Sequence, residues 1–494
     1  MLTQPRDLAT HQRKPLPQLV PLTVLKPLAA ALHRLNQTQF LSPHFPFSPQ
    51  RTPVFYGWVI WGVTTLGILM SIPGQTAGVS VFTDYLLAAT GLSRLALSNA
   101  YLIGTLTSGL LLPFGGVFID RFGARLVVVI AAGWLALTLV YLSVSDRLAQ
   151  GLSNLLALDS ARPVAFIVLC FGFVSLRFSG QGMLTMVSRT TLGKWFDRRR
   201  GMASGLSGIF VSFGFSAAPL LLSFFIDLGG WRGAWLMLAV LVGLGMAPLG
   251  WLLYRDNPEE CDLVMDGLAF AVPPSDAAAP TISPPSDQAA TGPRQFSPTR
   301  DFTRHEALRT LAFWAATLAL ASQALTITGL TFHLVDIGAA AGLPQKQTVA
   351  LFLPIGLLAT MTGYLIGVVS DRLHLKVLFI AMMVFEAIGL IGMAHLDNLP
   401  LRLIAIAGLG ITGGFFGTLS SVTMPRYFGR QHLGAIVGVE MMTLVIASAI
   451  GPSLLALFND VFGSYRLGLY LCACLPLSII VLLVPSGNPQ TGRS

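Results

Sequence analysis

Long apolar runs separated by short polar breaks fill most of the chain. Twelve runs of about 20 residues, the length of helix that crosses a bilayer, fall near 56–78, 95–119, 124–145, 164–188, 201–225, 233–254, 310–334, 347–370, 376–395, 401–424, 433–457 and 465–485. Two stretches break the pattern. Residues 1–55 are rich in Pro and carry six basic residues against the single acid Asp7, which predicts a disordered cytoplasmic extension. Residues 256–309, with Pro273-Pro274, Pro284-Pro285 and many Ala, Ser and Asp, predict a flexible linker. The pattern therefore predicts an all-α membrane protein with twelve transmembrane helices. Six-helix bundles over 56–255 and 310–485 flank the linker, and a short cytoplasmic tail follows at 486–494.

Composition supports this class. Hydrophobic residues make up 53% of the chain and charged residues only 11%, under half the usual share for a soluble protein. A bundle in lipid needs apolar surface outside as well as inside. The net charge of +9 would raise nucleic acid as a partner in a soluble chain, but its distribution gives another cause. With these spans, 23 of the 31 Lys and Arg lie on the side of the N-terminus. The opposite loops hold seven: Arg94, Arg147, Arg162, Arg232, Lys346, Arg402 and Arg466. Arg177 lies inside a span. The excess of cations on one side predicts cytoplasmic termini in a multi-pass protein of the cell membrane, with no nucleic-acid partner.

The two halves repeat each other. Gly116-x-x-x-Asp120-Arg121 closes span two and Gly367-x-x-x-Asp371-Arg372 closes span eight, each with a further cation four residues on, Arg125 or Lys376. Lys194-Trp195-Phe196-Asp197-Arg198 after span four matches Arg426-Tyr427-Phe428-Gly429-Arg430 after span ten. Pro219 precedes Asp227 by eight residues, as Pro452 precedes Asp460. Halves of six spans keep one orientation, so the repeat is parallel about an axis along the membrane normal.

On these motifs the chain over roughly 55–485 resembles the major facilitator superfamily. The most specific match is Gly116-x-x-x-Asp120-Arg121-x-Gly123-x-Arg125. In the second copy His374 replaces the expected Gly, which predicts a less tightly turned loop. Tyr56-Gly57-Trp58, the run Lys194 to Gly201, and Phe332-His333-Leu334-Val335 resemble the monocarboxylate porters and oxalate–formate antiporters. The resemblance implies two pseudo-twofold bundles enclosing a midplane site lined by span four. It also implies that Asp120 locks the outward-facing state by meeting the start of span eleven. Span eight lacks the cation that those porters are expected to carry, and span eleven holds Glu440 instead.

Several residues are candidates for the chemistry. Asp120 and Asp371 can accept hydrogen bonds from the free amides that begin a neighbouring helix, and with Gly116, Arg121, Gly123, Arg125, Arg372 and Lys376 they form a candidate inner gate. Arg177 falls near the bilayer midplane, where a charge costs about 2.5–3.5 kcal/mol on insertion scales. It must face a watery cavity or a partner, and Gln181, Gln75 and Gln323 join it as candidate substrate ligands. The alternative for Arg177 is a structural ion pair with Glu386 or Glu440. Glu440 is read as a partner of Arg121 or Arg125 in the gate, as a proton carrier, or as a solvated helix end. Glu386 is read as structural. His333 is a candidate for proton coupling or an ordinary interfacial His. Gly205, Gly208, Gly413, Gly414, Gly417, Gly434 and Gly438 offer faces for close helix packing.

Cys170, Cys472 and Cys474 fall in spans and show no metal-like spacing. No cofactor fingerprint, nucleophile–base pair or ATP-binding motif is present, so no metal, no cofactor and no enzymatic reaction are predicted, and a gradient would supply the energy. The predicted function is a secondary transporter, monomeric, moving a small organic anion such as a monocarboxylate together with a proton or against a counter-anion. Two alternatives remain from sequence. One is an efflux antiporter for drug-like or neutral solutes, whose signature Gly214 and Pro219 match only in part. The other is a membrane receptor or scaffold that has lost transport.

Overall fold

The computed structural model describes residues 42–267, 298 and 300–491. Among these, eleven helices are long and apolar enough to cross a membrane, and there is no strand. One of them, Arg200–Leu253, contains two spans, because Gly230 at φ 66° and ψ 173° reverses the chain where a side chain would be strained. The twelve spans are α1 (Gly57–Ser80), α2 (Arg94–Phe122), α3 (Ala124–Ser143), α4 (Arg162–Trp195), α5 (200–229), α6 (231–253), α7 (Leu311–Ala340), α8 (Gln345–Ser370), α9 (Leu375–Met393), α10 (Leu399–Phe428), α11 (Leu433–Phe462) and α12 (Tyr465–Leu483).

Several helices outrun the apolar windows that predict them. Span four, expected over 164–188, continues to Trp195. Hydropathy reports where lipid begins, whereas a helix ends where its free backbone groups find caps. Ser93 Oγ accepts from Ala96 N at 3.2 Å, Thr310 Oγ1 from Phe313 N at 3.2 Å and Asn398 Oδ1 from Leu401 N at 3.4 Å. At the second motif His374 sits at φ −70°, whereas Gly123 in the first motif sits at φ 82°. The two loops thus turn differently, as the Gly-to-His departure predicts.

The bundles meet along two seams, α2 against α11 and α5 against α8. Both rely on glycine. A β-carbon at Gly116 would lie 2.0 Å from the Gly434 carbonyl oxygen, and one at Gly201 would lie 2.1 Å from that of Gly367. Gly205, Gly414, Gly434 and Gly438 also face backbone of a neighbouring helix, as the sequence suggests. Gly208 and Gly417 do not: open space lies beside both.

Segments expected to be loose are in part folded onto the end of the molecule that carries the two motifs. Arg125 donates to the carbonyls of Ser42 and Phe45 at 2.9 and 2.8 Å, and Arg255 donates to Pro43 O at 2.7 Å. Residues 42–55 of the predicted extension therefore form a strap, and the rest of it lies outside the described residues. The predicted linker is anchored at both ends. Asp266 accepts from the amides of Asp197, Arg198 and Arg199, and Asp301 accepts from those of Arg430 and Gln431. Its middle, 268–297, lies outside the described residues.

Candidate functional site

The motif end is closed by two symmetry-related capping contacts. Asp120, at the last turn of α2, accepts from Gly434 N at 2.8 Å and Ala435 N at 2.7 Å, the first amides of α11. Asp371, just past α8, accepts from Gly201 N at 2.8 Å and Met202 N at 3.2 Å, the first amides of α5. Each carboxylate fills the orphaned donors of a helix belonging to the other bundle. Arg430 adds a third contact across the bundles, donating to Lys194 O at 2.9 Å and to Glu259 at 2.8 Å.

The motif cations do other work. Arg125 is buried in its own half, bonded to Trp251 O at 2.5 Å and to the strap, with its guanidinium 5.3 Å from the Trp251 ring centroid. Arg121 lies over Phe122, and Lys376 donates to Val484 O. Arg372 is exposed. Neither Arg121 nor Arg125 meets Glu440, which corrects that expectation.

Arg177 is only 2% exposed, closed in by protein rather than facing open water. Among the described residues it has no carboxylate partner either, so the alternative of an ion pair with Glu386 or Glu440 is also corrected. Its Nη1 donates to Gly74 O at 3.1 Å and to Thr76 Oγ1 at 3.4 Å, and its guanidinium lies 5.3 Å from the Tyr101 ring centroid. Burial is offset by a carbonyl and an aromatic face, while Nε finds no acceptor among the described residues. The packing that encloses it is tight, since a β-carbon at Gly74 would lie 2.8 Å from Gly180 Cα. Here α4 is wound as a π-helix over Arg177–Leu184, a local widening that hydropathy cannot register. Thr76, Tyr101, Gln75 and Gln181 are partly exposed around the cation. The Tyr101 hydroxyl donates to Thr76 Oγ1 at 3.0 Å, and Gln181 Oε1 has no partner among the described residues.

In the second half, Gln323 is buried in α7, apart from the Arg177 group. Glu386 is fully enclosed, its Oε1 accepting from Ser322 at 2.8 Å and Thr326 at 2.9 Å, which ties α9 to α7. His333 lies at the far end. Its Nε2 is 2.9 Å from Pro452 O and its Nδ1 is 3.2 Å from the Tyr465 hydroxyl, so it clasps α7, α11 and α12.

One charged residue escaped the sequence reading. Arg189 lies one position past the predicted end of span four, and there it counted as a loop cation. Because α4 runs to Trp195, Arg189 is a partly exposed residue of the membrane helix. Its charge acts on Glu440 of α11, which is 2% exposed and whose two oxygens both lack a hydrogen-bond partner among the described residues. A spacing of twelve residues from Arg177 was the available signal.

A family model, the Major Facilitator Superfamily, matches residues 63–378 and 356–494. Monocarboxylate transporter 1 of Bos taurus is 24% identical over 446 residues, covering 85% of this chain and 83% of that one. Monocarboxylate transporter 11 of Homo sapiens is 24% identical over 395 residues, covering 77% and 73%. Among solved structures, a double-tryptophan variant of XylE aligns with TM-score 0.63 at 14% identity, over 89% of this chain and 99% of that one. The human organic anion transporter MFSD10 aligns with TM-score 0.55 at 15% identity, over 88% and 100%.

Proposed function

The chain belongs to the Major Facilitator Superfamily of membrane transporters, and on that premise we propose that it moves a small organic anion, of the monocarboxylate kind, by alternating access. The observation that carries this reading is the paired closure, Asp120 on the start of α11 and Asp371 on the start of α5. These are hydrogen bonds to helix ends across glycine-lined seams, so they can break as two units without unfolding either bundle. A receptor or scaffold has no need of such reversible contacts. The excess of cations on this side supports reading the closed end as cytoplasmic and the paired closure as the inner gate.

Anion preference follows from charge. Arg177 has no carboxylate partner among the described residues, and its guanidinium lies just behind Thr76, Tyr101 and Gln181. It acts through that wall, attracting and orienting a carboxylate held by the exposed polar groups. Relatives named monocarboxylate transporters support the same class.

The test is uptake of radiolabelled monocarboxylates by purified protein in liposomes under an imposed gradient. Arg177→Ala is expected to lower uptake at least tenfold, with Arg177→Lys recovering part of it because the charge is kept. Equal uptake by the Ala variant and the parent would remove Arg177 from the site.

A further inference from the structure

We infer that the short helix Ser145–Leu155, between α3 and α4, lies along the membrane surface with a leucine stripe sunk into lipid. It does so at the end of the molecule opposite the two motifs. The partner is a lipid surface, which goes beyond the reading of the cargo. Hydropathy leaves this segment as a loop, because a helix of 11 residues is too short to span. At about 3.6 residues per turn it has three faces. Ser145, Ala149 and Ser153 are buried, and Ala149 packs with Val164, Ala165 and Val168 of α4. Arg147, Gln150 and Asn154 form an exposed polar face. Leu148, Leu152, Leu155 and Leu156 form an exposed apolar one, with Leu155 80% and Leu156 62% exposed.

Packing sets the tilt and the depth of this helix. After α3 ends at Ser143, Val144 leaves helical geometry at φ −118° and ψ 12°. A straight continuation from Tyr141 to Ala149 would climb about 12 Å. Both residues nevertheless pack in one cluster with Val164, Ala165 and Val168, so the chain turns into the membrane plane. Those three residues belong to the first turns of α4, inside its apolar run, which puts the helix at the edge of the hydrocarbon. Asp146 pairs with Arg232, whose guanidinium lies 4.3 Å from the Trp231 ring centroid at the start of α6. Trp rings favour the headgroup level, and the helix is tied to the protein at that level.

Continuity decides the occupant. Leu137 and Val140 of α3 and Ile167 and Phe171 of α4 are exposed just below the short helix. The Tyr141 hydroxyl donates to Val168 O at 3.0 Å and its ring meets that of Phe171 edge to face at 5.7 Å, so α3 and α4 present one surface there. The leucines prolong that lipid-facing belt. A helix held to its protein by small residues, with its large apolar ones turned outward, suits an interface: stripe among acyl chains, polar face in water. Ser42, Asp266, Arg300 and Gln490, beside which the described residues stop, are all bonded at the motif end, across the bilayer from the stripe. Because the small face rests on α4, the leaflet supports the helix that carries Arg177.

Spin labels on the full chain in liposomes test this, one at a time at Leu152→Cys, Leu155→Cys, Gln150→Cys and Asn154→Cys, with the labelled parent as background. All four positions are exposed, so the labels leave the packing intact. Relaxation is read with dissolved oxygen, which concentrates in lipid, and with a nickel chelate, which stays in water. The oxygen-to-nickel ratio is expected to be at least tenfold higher at the two leucine positions than at the two polar ones. High nickel exposure at all four positions places the helix in water and overturns the inference. Low exposure to both reagents at the leucine positions means that protein covers them, a second copy or another chain, and overturns it as well.

Discussion

At the scale of single residues, two carboxylates do most of the closing, and they differ in environment. Asp120 holds the first amides of α11 through both oxygens. Hydrogen bonds to a charged group contribute about 1.5–3 kcal/mol each. Asp120→Ala should therefore shift the protein toward the form open at the motif end and depress uptake at least tenfold, read by labelling of a cysteine placed in the seam. Asp371 lies just outside its span, and burial pushes its carboxyl up to about 6, against the pull of the Gly201 and Met202 amides and of Arg426 and Arg200. Opened to water, it would return to its ordinary value of 3.8. The closed form binds this proton more tightly, so the group's contribution to closure is full below about 3.8 and is lost as pH rises through about 6. Acidifying from pH 7 to pH 5 should raise the closed population, seen as energy transfer between labels on α5 and α8. Asp371→Asn, which keeps an acceptor without charge, should abolish that pH response while preserving closure.

At the scale of elements, each helix start at the seam is held from two directions. The turn before α5 is capped by Asp266 and its first helical amides by Asp371; the turn before α11 is capped by Asp301 and its first amides by Asp120. The ends of the linker thus set the positions of the helices that the motifs grip. Arg430 connects the two systems through Lys194 O and Glu259. The Glu259 pair is exposed enough to contribute only about 0–1 kcal/mol, whereas losing Arg430 also strands a carbonyl of the opposite bundle. Arg430→Ala is expected to loosen closure several-fold more than Glu259→Gln, measured by the rate at which a seam cysteine is labelled. The element boundaries were less legible than the elements. Gly230 bends one continuous helix into α5 and α6, and α4 continues past its apolar window to Trp195, because caps and backbone torsions set helix ends.

For the whole molecule, alternating access predicts that the seams part during each cycle. Ser212 on α5 and Thr360 on α8 place their hydroxyl oxygens 3.3 Å apart. A Ser212→Cys, Thr360→Cys pair should form a disulfide that stops uptake and releases it on reduction; unchanged uptake by the oxidised pair would rule out parting at this level. The sequence by itself determined the class of the molecule. Twelve apolar runs, the bias of Lys and Arg to one side, and the repeated Gly-x-x-x-Asp-Arg are local or periodic features, and lipid and helix geometry translate them directly into spans and halves. It also marked Asp120 as a helix-start ligand, since the chemistry of a carboxylate beside free amides needs no knowledge of distance. Only the tertiary structure decided which charges face one another. Arg177 is enclosed by Gly74, Thr76 and Tyr101, Arg125 ties down the strap, and the charge of Arg189 acts on Glu440. The partner of a buried charge is set by the crossing of helices distant in sequence, and no window along the chain contains that information.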